Sequence, residues 1–185
     1  MNTTRPTRRD LLQLSAGGAL LGLTAPALAQ ESRPVAVPKQ GLVVYAVRHA
    51  EKQGGDDPGL TAEGVARAAA LAFALRHVPL DGVYSTDTKR TRATVAPAAE
   101  AHGLEVQTYA ADGSLSKRLG SGQGGRCVLV VGHSNTIPAL LQRLGLTPPE
   151  KILSGYEDLF QVVAFGEQRL LQRLSYGGKS QAKGH

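Results

Sequence analysis

The sequence has little of what disulfide scaffolds and nucleic-acid-binding surfaces need. Cys127 is its only cysteine, so no intrachain disulfide can form. Tryptophan is absent, and only five tyrosines and three phenylalanines are available for base stacking. The net charge of +6 is not gathered into a lysine and arginine run with interleaved aromatics. The composition therefore predicts no nucleic-acid partner.

Patterns typical of metal and nucleotide sites are also missing from the sequence. His49, His77, His102, His133 and His185 include no pair at helical spacing, and they have no cysteine partners. Neither the P-loop motif nor the glycine fingerprint of dinucleotide-binding folds occurs. We therefore expect an activity that needs no metal and no cofactor.

The sequence has no continuous apolar run of about 20 residues, the length of a membrane-spanning helix. Residues 1–29 instead combine Arg8-Arg9, a moderately apolar stretch and the small-residue site Ala27-Leu28-Ala29. This order predicts a signal peptide of the twin-arginine type, with a Sec signal as the alternative. Cleavage before Gln30 would leave a periplasmic or secreted protein with no stable membrane anchor.

The rest of the chain divides into a linker, one domain and a tail. Residues 30–40 contain Pro34 and Pro38 and are predicted to form an extended linker. Residues 41–176 are enough for one compact domain. Residues 177–185 are polar and rich in glycine and lysine, so we predict a disordered tail.

Predicted strands alternate with predicted helices along the domain. The apolar runs at residues 42–47 and 126–132 are typical of strands that are buried on both faces. This alternation predicts an α/β fold, a three-layer αβα sandwich with a mainly parallel sheet and an antiparallel edge strand. Further strands are predicted at 82–85, 104–108, 159–165 and 169–176, and helices at 61–77, 88–102, 114–119 and 134–144.

Two predicted strands each end at a histidine. Arg48-His49 follows the first apolar run, and His133-Ser134 follows the second. The carboxyl ends of parallel strands meet at one sheet edge, where open α/β folds bind ligands. Guanidinium groups suit phosphate oxygens, and an imidazole that is neutral near pH 7 can act as a nucleophile. These residues predict a phosphate pocket with a histidine nucleophile.

Four segments occur in the order expected of a known family. Arg48-His49-Ala50-Glu51, residues 60–64, residues 84–94 and residues 131–134 together resemble the histidine phosphatase superfamily. The resemblance is to its phosphoglycerate mutase-like branch, with a short domain, and it extends over residues 42–165. It implies a phosphoglycerate mutase-like fold and phosphoryl transfer through a phosphohistidine.

The resemblance also assigns roles to individual residues. It implies that His49 is the nucleophile and that Arg48, Arg90 and His133 complete the phosphate-binding shell. Arg92 lies two residues from Arg90, and side chains at that spacing point about 200° apart on a helix, so only one can face the pocket. The family spacing favours Arg90, which leaves Arg92 at the surface.

The sequence offers several candidates for the general acid. One branch of the family has an aspartate directly after the second histidine, but this chain has Ser134, predicted to bind phosphate or to cap a helix. We predict Asp112 as the acid, although an Asp-Gly turn is an alternative reading. Glu157 and Asp158 are further candidates, and Glu51 is predicted to orient an arginine.

The predicted function is that of an exported, metal-independent phosphatase acting on phosphate monoesters through His49. Two departures from the mutases of this family favour a phosphatase over a mutase. Ala50 replaces the glycine usual in the mutases, and the segment between Arg90 and His133 is too short for their capping insertions. The expected partners are a small phosphorylated substrate and the twin-arginine export machinery. The alternatives are a phosphohistidine or envelope sugar-phosphate phosphatase, and a non-catalytic phosphate-binding protein.

Overall fold

A six-stranded mixed sheet forms the centre of the protein in the computed structural model. The structure describes residues 41–149 and 155–178. The predicted signal peptide and linker, and residues 179–185 of the predicted tail, lie outside the described residues and stay predictions. None of the helices in the described ranges has the length and apolar character needed to cross a bilayer.

Strands and helices alternate as the sequence predicts, up to a closing hairpin. The elements are β1 (Leu42–Arg48), α1 (Ala62–Leu75), β2 (Gly82–Ser85), α2 (Lys89–Ala101), β3 (Val106–Thr108), α3 (Ser114–Gly120), β4 (Cys127–Gly132), α4 (Thr136–Arg143), β5 (Asp158–Phe165) and β6 (Gln168–Ser175).

The order of strands in the sheet is β3-β2-β4-β1-β5-β6. The strands β1 to β4 run parallel, while β5 pairs antiparallel with both β1 and β6. The predicted α/β fold with a mainly parallel sheet is confirmed. Its antiparallel part is the hairpin of β5 and β6 at one edge, formed by the two strands predicted at 159–165 and 169–176.

Helices cover both faces of this sheet, which gives the three predicted layers. Alternate residues of a strand point to opposite faces, so β4 supplies Val128 and Val130 to one core and Leu129 and Val131 to the other. The first core packs against α3 and α4, and the second against α1 and α2. All four β4 side chains are fully buried, as a continuous apolar run predicts.

Three predicted boundaries are wrong by two residues: the end of α1, which is Leu75 rather than residue 77, and the starts of one helix and one strand. The helix predicted from Ser134 begins at Thr136, because the Thr136 hydroxyl accepts the His133 N–H at 2.7 Å and closes the preceding turn. The strand predicted from Leu104 begins at Val106. The Leu104 N–H is engaged at 3.0 Å by the Ala99 carbonyl at the end of α2, so it is not available to the sheet.

Helix α1 begins against the loop that follows β1. Thr61 caps the helix by accepting the Gly64 N–H at 3.1 Å, and its own N–H donates to the Glu51 carbonyl at 3.0 Å. A Cβ atom at Gly64 would overlap the same Glu51 carbonyl oxygen. The glycine of the segment at residues 60–64 is therefore required by this close backbone approach.

Replacing Gly64 by alanine is expected to lower the free energy of unfolding by about 1–3 kcal/mol, the usual cost of overpacking. The measurement is urea unfolding followed by circular dichroism. Gly54→Ala is the matched control, because a Cβ at Gly54 would meet nothing within 4 Å. Equal stability of the two variants would contradict the close approach at Gly64.

Candidate active site

The two strand-end histidines lie side by side at the carboxyl edge of the sheet. Arg48 at the end of β1 is paired in register with Gly132 at the end of β4. The His49 N–H donates to the Gly132 carbonyl at 2.9 Å, which carries the pairing one residue beyond the strand. The rings of His49 and His133 meet edge to face, with centroids 5.4 Å apart.

The hydrogen bond at His49 Nδ1 decides which ring nitrogen can attack. Nδ1 lies 2.7 Å from the Ala50 carbonyl oxygen. A carbonyl can only accept, so the proton is on Nδ1 and the lone pair is on Nε2. Burial lowers the pKa of His49 to about 4, and the charges of Arg48, His133 and Arg90 act in the same direction against the Ala50 hydrogen bond. The ring is therefore a neutral imidazole near pH 7.

Arg90, and not Arg92, faces the pocket. Arg90 Nη2 lies 2.9 Å from His133 Nε2, and Arg90 Nη1 lies 3.5 Å from a carboxylate oxygen of Asp57. Arg92 pairs with Asp87 at 3.2 Å, and the two side chains are 53% and 72% exposed. The structure therefore places the two arginines on the faces that the family spacing favours.

Tyr156 is a pocket residue that sequence reasoning missed. Its ring centroid lies 4.6 Å from Arg48 Cζ and 5.9 Å from the centroid of the His49 ring. Tyr156 stands two residues before β5, and β5 runs antiparallel to β1. The residues before β5 must therefore lie beside the end of β1, but that signal is readable only once the pairing of the two strands is known.

Threonine hydroxyls hold the pocket segments together. Thr94 accepts the Ala50 N–H at 2.9 Å and donates to the Arg90 carbonyl at 2.7 Å, so α2 is tied to the nucleophile loop. Thr86 Oγ1 lies 3.4 Å from His133 Nδ1. These threonines belong to the segment at residues 84–94, but their role in the site was not predicted.

Residues 44–111 match the family model described as histidine phosphatase superfamily (branch 1). The predicted resemblance to this superfamily is therefore confirmed, and the match includes the nucleophile segment and Arg90. No curated protein matches the chain at a significant level.

Solved structures of other histidine phosphatases share the fold. A candidate phosphohistidine phosphatase, SixA from Agrobacterium tumefaciens, is 25% identical, with a TM-score of 0.55 over 74% of this chain and 99% of that chain. A protein histidine phosphatase SixA complexed with tungstate is 19% identical, with a TM-score of 0.58 over 72% of this chain and 97% of that chain. A mycobacterial glucosyl-3-phosphoglycerate phosphatase is 15% identical, with a TM-score of 0.55 over 74% of this chain and 100% of that chain. Together with the family model, these similarities support a hydrolase of the phosphatase class.

The structure does not favour Asp112 as the general acid of this phosphatase. The Asp112 carboxylate accepts the Ser114 N–H at 2.8 Å, and this hydrogen bond lowers its pKa. Arg143, at the far end of α4 from His133, adds to the lowering. A general acid needs a raised pKa and a place near the leaving group. The alternative reading, an Asp-Gly turn that begins α3, describes Asp112 better.

The remaining predicted carboxylates differ in their surroundings. Asp158 is buried in an ion pair with Arg173, with contacts of 2.7 and 3.0 Å, and is not available to a substrate. Glu157 directly follows Tyr156, so it remains a candidate acid. Ser134 is exposed in the turn after His133 and stays a predicted phosphate contact.

Glu51 orients an arginine, as the sequence analysis predicts. Both of its carboxylate oxygens accept from Arg67 Nε, at 2.8 and 2.9 Å, and the pair is almost fully buried. Arg67 Nη1 also donates to the carbonyls of Tyr176 and Gly178, at 3.2 and 3.0 Å. Arg67 thereby connects the nucleophile loop to the end of the domain.

Proposed function

We propose that the chain hydrolyses phosphate monoesters through a phosphohistidine on His49, without a metal ion. The observation that carries this proposal is the state of His49, a buried neutral imidazole with its lone pair on Nε2. The charges of Arg48 and Arg90 lie within electrostatic reach of it. Phosphoryl transfer depends mostly on positioning and on stabilising the charge of three equatorial oxygens.

The proposed reaction has two steps. His49 Nε2 attacks phosphorus, the bond from phosphorus to the ester oxygen breaks, and that oxygen takes a proton from solvent and leaves as an alcohol. A water molecule then attacks the phosphohistidine and breaks the N–P bond. Inorganic phosphate is released, the second proton of the water passes to solvent, and Nε2 regains its lone pair. Arg48 and Arg90 neutralise the phosphoryl oxygens in both steps.

A protein phosphohistidine is a second candidate substrate class. Two of the similar solved structures are SixA proteins whose names refer to phosphohistidine or protein histidine phosphatase activity. The chemistry also fits a site whose general acid is not identified. The leaving imidazole of a phosphohistidine can be protonated on its own ring nitrogen, so it depends less on an enzymic acid than an alkoxide does.

The test compares the two substrate classes in the presence of EDTA. Purified protein is incubated with p-nitrophenyl phosphate and with a histidine-phosphorylated protein, and phosphate release is measured. Within residues 41–149 and 155–178, no group of three or more His, Cys, Asp or Glu side chains could hold a metal ion. Hydrolysis that EDTA abolishes would refute metal independence. Anion binding without hydrolysis of either substrate would indicate a phosphate-binding protein.

The pH dependence of kcat/KM should reveal the unusually low pKa of His49. Attack needs the neutral ring, and its pKa of about 4 lies well below the ordinary 6.5. The acidic limb of kcat/KM should therefore fall near pH 4, once the second ionisation of the ester, near pH 6, is allowed for. An acidic limb at pH 6.5 that no substrate ionisation explains would contradict the assignment.

We also propose that the enzyme acts outside the cytoplasm after twin-arginine export. The support is the order of Arg8-Arg9, an apolar stretch and Ala27-Leu28-Ala29 in the sequence. A protein with one cysteine needs no intrachain disulfide formed after transport. It can therefore fold before it crosses the membrane.

Export can be tested by fusing residues 1–35 to a reporter that functions only when it folds before transport. Replacing both Arg8 and Arg9 by lysine should block export, because the charge remains but the guanidinium pair is lost. Reporter activity in periplasmic fractions is the measurement. Undiminished export of the double-lysine variant would indicate the Sec route and would leave the phosphatase proposal intact.

A further inference from the structure

The contact between Arg90 and His133 indicates which ring nitrogen of the second pocket histidine carries the proton. A guanidinium has only donors, so His133 Nε2 must accept in the 2.9 Å contact with Arg90 Nη2. A neutral imidazole that accepts at Nε2 carries its proton on Nδ1. That nitrogen lies 3.4 Å from Thr86 Oγ1, which is positioned to accept the proton in a hydrogen bond.

The Thr86 hydroxyl can act as an acceptor because its own proton is engaged elsewhere. Thr86 Oγ1 donates to Thr91 Oγ1 at 3.2 Å, and Thr91 Oγ1 donates to the Thr86 carbonyl at 2.7 Å. Both threonines are buried. The hydrogen bonds therefore run in one direction, from Arg90 through His133, Thr86 and Thr91 to a backbone carbonyl.

The surroundings of His133 favour its neutral form. Burial lowers its pKa, and the charges of Arg90 on α2 and Arg48 on β1 lower it further. The His49 ring meets the His133 ring edge to face, and Asp57 pairs with Arg90 Nη1, whereas His133 contacts Arg90 Nη2. In this form His133 has no N–H at Nε2 with which to bind a phosphate oxygen.

We propose that Thr86 is a positioning residue that holds the proton of His133 on Nδ1, so that binding of a tetrahedral oxyanion makes His133 take up one further proton, at Nε2. Nδ1–H stays bonded to Thr86 and the new Nε2–H donates to the anion, while Arg90 turns to the anion as well. The proton comes from solvent, or from a phosphate monoester in its monoanionic form. This inference rests on the proposed phosphate pocket.

Calorimetric titration with sulfate at pH 7.5, in two buffers of different ionisation enthalpy, counts the protons bound. Sulfate is a dianion at neutral pH and above, so any proton taken up must be bound by the protein. We expect about one proton per sulfate, and a dissociation constant that rises about tenfold per pH unit above neutrality. Thr86→Ser keeps the acceptor and should match the wild type.

Thr86→Val keeps the shape but removes the acceptor, so His133 can move its proton to Nε2 and bind sulfate with almost no proton uptake. His133→Asn should also take up none. Sulfate binding without proton uptake in the wild type, or equal uptake in Thr86→Val and the wild type, would overturn the inference alone. Absence of sulfate binding would overturn the phosphate pocket as well.

Nitrogen-15 NMR of histidine-labelled wild-type protein gives an independent readout from the unaltered pocket. His133 is assigned by comparison with His133→Asn. In the absence of anion its spectrum should show a proton on Nδ1 and a bare Nε2, and addition of sulfate should protonate both nitrogens. A bare Nδ1 before sulfate is added would overturn the role of Thr86.

Discussion

Replacing His49 by alanine is expected to lower kcat by at least about 10³-fold and to abolish a covalent phosphoenzyme, because the nucleophile is lost. The measurement is brief incubation with labelled substrate, denaturation without acid, and mapping of the label. The label on wild-type protein should be stable to base and released by acid, as expected for a phosphoramidate.

His77→Ala is the matched control for this experiment, because His77 is exposed just after α1, at the opposite end of the sheet from the histidine pair. It should leave both the turnover and the label unchanged. A label that survives acid, or one that persists on His49→Ala, would show that another residue is the nucleophile. The fold and the phosphate pocket would still stand.

Replacing Arg90 by alanine is expected to lower kcat/KM by about 10²-fold or more, because a charge-assisted donor to the transition state is removed. The nearby Arg92→Ala should change kcat/KM little, since Arg92 forms an exposed ion pair with Asp87. Steady-state kinetics of the two variants with p-nitrophenyl phosphate makes the comparison.

Arg90→Lys separates the effect of charge from that of geometry. Lysine keeps the positive charge but cannot offer two parallel donors, so its activity should lie between those of Arg90→Ala and the wild type. Equal losses in Arg90→Ala and Arg92→Ala would mean that the wrong face of α2 was assigned to the pocket.

The parts of the fold that were predicted correctly depend on local physical signals. The continuous apolar runs of β1 and β4 indicated strands buried on both faces, and these strands lie beside each other at the centre of the sheet. Because both end at the same edge, the meeting of His49 with His133 followed from the sequence. The structural register, with Arg48 opposite Gly132, agrees with that reasoning.

The parts that were missed depend on contacts between distant segments. Tyr156 reaches Arg48 only because β5 pairs antiparallel with β1, and no local pattern reveals that pairing. Asp112 is the opposite case, because its hydrogen-bond partner is local, and its role as general acid stays a prediction. Its carboxylate accepts the Ser114 N–H, and this hydrogen bond belongs to the Asp-Gly turn that was the alternative reading.

The partners of Arg67 have a consequence for the order in which the enzyme matures. Arg67 binds Glu51 in the nucleophile loop and the carbonyl of Tyr176, which is 109 residues further along the chain. Burying a guanidinium costs free energy until all its acceptors are present. Strand β1 likewise lacks one of its two neighbours in the sheet until β5 has been made. A nascent chain that still lacks these residues should therefore not yet hold its nucleophile loop in place, and activity should arise only after β5, β6 and Tyr176 have been synthesised.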